Sequence, residues 1–210
     1  MTTVLLLRHG EIAQACPRRF VGQRDLPLTQ AGIEQAMCWR ETLADTPLTG
    51  AWCSSLRRCR ETARLILEPR GLAAVPVDAL REISLGAWEG LSVEEVRQRF
   101  PGEYERRGAN LADIAPSGGE SFAAAQQRAW AALEAIRAQA EGAILVVAHA
   151  GVNRALICRM LGIPLARLFS LGQDYAAMNV LEFPPGKPPI LRALNLPPQT
   201  AAVLPFLPRM

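Results

Sequence analysis

The apolar residues of this chain fall into two kinds of pattern, short unbroken runs and longer stripes at helical spacing. "TVLLL" (residues 3–7) is too short for a helix and apolar almost throughout, as expected of a strand buried on both faces. "LTQAGIEQAMCWRETLAD" opens with a cap at Thr29 and sets Ile33, Ala36, Met37, Trp39 and Leu43 at helical spacing. "LTGAWCSS" predicts a second short strand, and "LRRCRETARLILEPRG" a helix that Pro69 and Gly71 end. "VPVDALREISLGAWEG" reads as strand and loop, and "SVEEVRQRF" as a short helix with Ser92 and Glu95 in a capping box. Residues 101–119 are polar and broken by glycine and proline, an irregular excursion with one short helix. "ESFAAAQQRAWAALEAIRAQAEG" predicts the longest helix, "AILVVA" a strand, and "GVNRALICRMLG" the helix after it. "AMNVLEF" and "ILRALNL" then predict two closing strands joined at "PPGKPP" as a hairpin.

Strand and helix alternate, which argues for a three-layer α/β/α sandwich around a largely parallel central sheet. One domain over residues 1–210 is expected, with a small cap or lid around residues 91–119. The tail, residues 197–210, carries four prolines and cannot be a regular helix or a central strand. Its apolar residues either cover the chain's own surface or contact a second subunit, which leaves a homodimer open.

Composition adds mostly exclusions. A chain of 210 residues, half hydrophobic and a fifth charged, can bury a substantial core. The net charge of +3 is small and the arginines are scattered, so no stripe suits nucleic acid, although a local anion site remains open. Five cysteines (Cys16, Cys38, Cys53, Cys59, Cys158) form no CxxC pair. Their odd number, without a signal peptide, points to free thiols in a reducing cytoplasm. Cys38, Cys53 and Cys158 have apolar neighbours and read as small core residues. No spacing suits a metal site, and no apolar run reaches the length of a membrane span. The expectation is a cytoplasmic protein with no metal, cofactor, nucleic-acid or membrane partner.

The chain has two histidines, and each ends an apolar run: His9 in "VLLLRHGE" and His149 in "AILVVAHAG". In open α/β sheets ligands bind beyond the carboxyl ends of the strands. Arg8 and His9 leave the first strand there, Ser54, Ser55 and Arg58 follow the second, and His149 leaves the later one; Glu82 follows a further apolar stretch. Two arginines, two imidazoles and one carboxylate describe a site for a tetrahedral anion. Singly, each has a plainer reading: a hydrogen-bonded structural histidine, a helix-surface arginine, a solvated loop carboxylate. Both histidines, however, precede small residues (Gly10; Ala150 and Gly151) that let backbone N–H groups approach a ligand, and His149 stands near a helix start, where anions bind well.

"RHGE", "DLPLTQAGIEQA", "SSLRRCRETA", "LREISLGAWEG", "SGGES" and "HAGVNR" follow one another between Val4 and Arg154. As a set they resemble the histidine phosphatase superfamily, the phosphoglycerate mutase-like proteins. The resemblance implies that fold, His9 as the nucleophile that carries a phosphoryl group, and Glu82 as proton donor. It implies that Arg8, Arg58 and His149 hold the phosphoryl oxygens; Arg58, not Arg57 or Arg60, matches the family arginine. A histidine attacks phosphorus through a neutral ring nitrogen, so its other nitrogen should donate to a backbone carbonyl. Two neighbouring arginines help keep that ring neutral.

The chain departs from the family pattern at Ile12, Ala15 and Val21, where members often carry polar donors near the phosphate. Gln23, Arg18 or Arg19 is expected to fill in, and Gln23 and Ala150 join Arg8, Arg58 and His149 as expected substrate contacts. The short segment between Glu82 and "SGGES" favours hydrolysis over mutase chemistry. Overall likeness favours the α-ribazole phosphatase or broad-specificity branch, acting without metal on a small phosphorylated metabolite. Phosphoglycerate mutase-type transfer, or an inactive relative that binds a phosphorylated ligand or a protein, are the alternatives.

Overall fold

Strand β1 (Thr2–Arg8) runs through the middle of a six-stranded sheet, and its residues from Val4 to Leu7 are wholly buried. A computed structural model describes residues 1–13 and 16–198, so Ala15 and the proline-rich tail from residue 199 onward lie outside the described residues. After β1 come α1 (Gln30–Thr42), β2 (Leu48–Ser54), α2 (Arg57–Leu67), β3 (Val75–Val77), α3 (Val93–Arg99), α4 (Glu103–Ala109) and α5 (Phe122–Ala138). The chain closes with β4 (Gly142–Ala148), α6 (Ala150–Leu161), β5 (Met178–Phe183) and β6 (Ile190–Leu196). The sheet order is β3-β2-β4-β1-β5-β6. β1, β4, β2 and β3 pair in parallel, while β5 pairs antiparallel with β1 and, on its other side, with β6, its partner in the closing hairpin.

Alternation along β1 assigns the two faces of the sheet. Leu5 and Leu7 pack with Trp39 of α1 and Ile66 of α2. Val4 and Leu6 point the other way and pack with Leu133 and Ile136 of α5 and Leu156 of α6. A strand buried on both sides needs apolar residues at every position, which is why "VLLL" does not alternate with polar ones. The outcome is a mixed α/β sandwich with a mostly parallel central sheet covered by helices on both faces. β3 is only three residues long, and its Pro76 suits an edge position because it cannot donate to a further strand.

The helix starts follow their caps. The Thr29 hydroxyl accepts from Gly32 N, Ser92 and Glu95 make a reciprocal box, and the Ser121 hydroxyl accepts from Ala124 N. α5 ends at Ala138, short of the expected Gly142, because Gly142 takes a left-handed φ of 79° and begins β4. Residues 91–119 fold as α3 and α4 against a third cluster built on Trp88, Val96, Phe122 and Leu168, with Phe20 and Tyr104 at its edge. All five cysteines are free: Cys53, Cys59 and Cys158 are buried, Cys38 is half-buried and Cys16 is exposed. Among the described residues no helix is long and apolar enough to cross a membrane.

One close approach ties α1 to the end of β1. A Cβ on Gly32 would lie 2.3 Å from Glu11 O and 2.8 Å from Glu11 N, backbone atoms that cannot swing away. Gly32→Ala should therefore cost about 1–3 kcal/mol. That lowers the melting temperature by roughly 2–4 °C for each kcal/mol. Thermal unfolding followed by circular dichroism checks this; an unchanged midpoint would contradict the packing described.

Candidate active site

The two histidines meet because of strand register. In the parallel pair β1–β4, Arg8 stands opposite Ala148, so the next residue of each strand, His9 and His149, leaves the sheet side by side. Parallel strands lie about 4.8 Å apart, and the two ring centroids are 5.1 Å apart at an interplanar angle of 64°. His9 Nδ1 lies 2.7 Å from Gly10 O. That carbonyl can only accept, so Nδ1 carries the proton and Nε2 keeps its lone pair. Arg58 Nε, 3.2 Å away, donates to that Nε2 and also to His149 Nδ1 at 3.2 Å. His149 Nε2 then donates to Ser54 Oγ at 2.8 Å. Burial first, and then the charges of Arg58 and Arg8, hold His9 well below the ordinary histidine value of 6.5, although the Gly10 carbonyl pulls the other way. The same causes, burial and then Arg58, act on His149.

Arg58 enters on the first turn of α2 and is 1% exposed. Its Nη1 donates to Arg24 O (2.7 Å) and its Nη2 to Gly22 O (2.9 Å), and no carboxylate pairs with it among the described residues. Three of its five N–H donors are engaged, which leaves two for a ligand. Thr62, one turn along α2, donates to Arg58 O and accepts from Gly10 N, fastening the helix to the residue after His9. Arg8 donates from Nη1 to Gln173 O at 2.6 Å and stacks its guanidinium 3.7 Å from the centre of the Tyr175 ring. Its buried Nε has no partner in the described residues.

Glu82 stands in the loop after β3 and sets its carboxylate against the first turn of α6. Its Oε2 accepts from Gly151 N at 3.1 Å, and its Oε1 accepts from Val152 N at 3.2 Å and Ile83 N at 3.0 Å. Gly151 makes room for it, since a Cβ there would lie 2.6 Å from Glu82 Oε1. Gln23 Nε2 and Arg128 Nη2 donate to the Glu82 backbone carbonyl at 2.9 and 3.2 Å and brace the segment from behind.

Arg8, His9, Arg58, Glu82 and Ala150 all line one cavity of about 400 Å³. His149 does not reach its wall: it is fully buried, and its ring nitrogens meet Arg58 and Ser54. Gln23 does not line it either, because its amide is spent on Glu82. Arg19 lines it, but its Nη1 is bound to Glu95 at 2.6 Å and to Gly90 O at 2.8 Å. Arg18 lines it and is exposed, whereas Ile12 and Val21 contribute apolar wall. Ser55 turns away to Asp78. Sequence reasoning missed Tyr175, Arg107 and the aromatic wall of Phe20, Phe122 and Phe169; Arg154 stood in "HAGVNR" without an assigned role. Cys59, 3.4 Å from His149 Nε2, is a further buried neighbour whose thiol burial pushes well above its ordinary value. Among the described residues no three His, Cys, Asp or Glu side chains cluster as a metal site.

The neutral histidines imply a pH dependence of stability. Both have a folded-state pKa below the unfolded value of 6.5. Their contribution is complete above that value and is lost as pH falls beneath it, where the unfolded chain binds two protons that the folded chain refuses. Each histidine then costs roughly 1.4 kcal/mol per pH unit. Urea unfolding between pH 7.5 and 5 checks this: His149→Gln should reduce the slope below pH 6.5 by about one proton, and an unchanged slope would contradict it.

Comparison with known proteins agrees with this geometry. The family pattern of the histidine phosphatase superfamily (branch 1) matches residues 4–196. Phosphoserine phosphatase 1 of Hydrogenobacter thermophilus is 31% identical over 197 residues, covering 93% of each chain. The adenosylcobalamin/alpha-ribazole phosphatase of Escherichia coli K12 is 31% identical over 178 residues, 84% of this chain and 88% of that one. The crystal structure of the alpha-ribazole phosphatase from Shigella flexneri matches with a TM-score of 0.84 at 30% identity, covering 92% of this chain and 96% of that one. A likeness that runs from the first strand to the last, in sequence and in shape, assigns this phosphatase by descent: the chain belongs to the histidine phosphatase superfamily.

Proposed function

We propose that the protein is a metal-independent phosphomonoesterase that hydrolyses a small phosphorylated metabolite through a phosphohistidine on His9. The observation that carries this reading is the state of His9, whose Nδ1–H is fixed on the Gly10 carbonyl while Nε2 keeps a lone pair on the cavity wall. In the first step Nε2 attacks phosphorus, the bond from phosphorus to the ester oxygen breaks, and Glu82 gives that oxygen a proton. In the second, Glu82 takes a proton from water, the water oxygen attacks phosphorus, and the P–N bond breaks to release phosphate and neutral His9. Phosphoryl transfer asks mainly for positioning and for compensation of charge on the equatorial oxygens. Arg8 and the free donors of Arg58 supply that compensation, and planar guanidinium suits it well. His149 acts through Arg58, and Gln23 and Arg128 act through the backbone of Glu82.

A nucleophile and an acid around one cavity favour catalysis over mere ligand binding. The relatives' named substrates, phosphoserine and α-ribazole phosphate, head the panel on which turnover should be measured. The five unpaired thiols fit a reducing, cytoplasmic setting.

With labelled substrate quenched during turnover, an acid-labile phosphoryl label should appear on wild type and be absent from His9→Ala. Release of p-nitrophenol from p-nitrophenyl phosphate should be abolished in the same variant and unaffected by EDTA. A stable label elsewhere, or activity lost to EDTA, would overturn the mechanism.

Glu82 gives a separable prediction. Gly151→Ala pushes a methyl group into a flexible carboxylate rather than into backbone, so the fold survives while the acid is displaced. On alkyl phosphates, whose alkoxide needs a proton, kcat should fall about 10²-fold or more. p-Nitrophenyl phosphate, whose leaving group needs none, should lose far less. Equal losses on both would remove Glu82 from the acid role.

A further inference from the structure

Arg107, on α4, is 8% exposed and lines the same cavity as His9. Among the described residues no carboxylate or carbonyl accepts a hydrogen bond from its guanidinium, and its Nε is buried without a partner. The carboxylates of its own helix are committed elsewhere: Glu103 accepts from Trp88 Nε1 at 3.1 Å, and Glu105 from Arg97 Nε at 2.7 Å. What it does have is aromatic faces, Phe122 at 5.3 Å and Trp88 at 5.7 Å. A cation over an aromatic ring recovers only a fraction of what burying a guanidinium without hydrogen bonds costs. The aromatic faces therefore leave the charge under-compensated, and burial lowers its proton affinity accordingly.

The cavity around it is larger than a phosphoryl group needs. At about 400 Å³ it falls among pockets that enclose whole small ligands, which span about 300–1,000 Å³. Its lining carries six arginines against one carboxylate, Glu82, and an apolar wall that includes Ile12, Phe20, Val21, Phe122 and Phe169. The phosphoryl end already has Arg8 and Arg58. Arg107 belongs instead to the α3–α4 wall, where the remainder of the substrate must lie.

We propose that Arg107 forms a second anion subsite, so that the preferred substrate is a phosphomonoester whose leaving group is an apolar, ring-sized body bearing a second anionic group. This inference rests on the phosphatase reading above and narrows its substrate class. A carboxylate or a second phosphoryl group would satisfy the planar fork of Arg107, displacing no existing partner. Ile12 and Val21 then belong to the surface that meets the body between the two anions.

Phenyl phosphate, 4-carboxyphenyl phosphate and 1,4-phenylene bisphosphate test this, because they share one ring and differ in the second anion. Wild type should show kcat/KM about tenfold or more higher for one or both esters that bear the second anionic group than for phenyl phosphate, and the arm that gains tells carboxylate from phosphate. In Arg107→Met that ratio should fall towards one, and Arg107→Lys should restore part of it. Equal kcat/KM for all three esters in wild type, or a ratio unchanged in Arg107→Met, would overturn the subsite while leaving the phosphatase reading intact. No turnover of any ester would instead overturn the phosphatase reading. In that case calorimetry with phenylphosphonate and 4-carboxyphenylphosphonate still reads the subsite: tighter binding of the second to wild type, lost in Arg107→Met, supports it, and equal binding ends it.

Discussion

A guanidinium buried without a carboxylate is the constraint around which this molecule is arranged. Arg58 keeps its charge at 1% exposure with two imidazole nitrogens and two backbone carbonyls as acceptors. Any carboxylate close enough to neutralise it would also occupy the place of an incoming anion. The chain instead surrounds it with neutral acceptors, and burial, reinforced by its positive field, holds both histidines well below the ordinary value. The local instability of an uncompensated buried charge is relieved when an anionic ligand arrives, which turns a folding cost into binding selectivity. Arg8, with its unpartnered Nε and its stacking on Tyr175, repeats the arrangement from the other side.

Glu82 is kept apart from this positive centre by a different device. Its carboxylate rests on backbone N–H groups at the start of α6 rather than on a guanidinium. Carboxylate and cations therefore share a cavity without collapsing into an ion pair. Gly151 is the residue that permits it, and its place in "HAGVNR" ties the Glu82 carboxylate to the same short segment that supplies His149.

Much of the framework was legible because its signals are local. Unbroken apolar runs marked β1 and β4, hydroxyl caps marked α1 and α3, and the quoted motifs placed His9, Glu82 and Arg58 by likeness to a known family. The remainder depends on packing that no window of sequence contains. Arg106 and Arg107 are chemically identical neighbours, and the phase of α4 alone decides that the first is exposed and the second buried. Tyr175, in the loop before β5, and Phe169, on a short 3-10 helix after α6, stand in no motif, and they reach the cavity only through the packing of those segments. The position of His149 was readable; that its nitrogens serve Arg58 and Ser54 was not.

The place of β1 within the sheet also bears on how the chain must be made. Its two neighbours are β4, which begins at Gly142, and β5, which begins at Met178. β1 is therefore synthesised well before either neighbour and finds no pairing edge until some 140 further residues have been added. At about 5–20 residues per second that interval is on the order of ten seconds. Throughout it the nascent chain must shelter "VLLL" by transient collapse or by a chaperone, and His9 can be seated beside His149 only once β4 has been made.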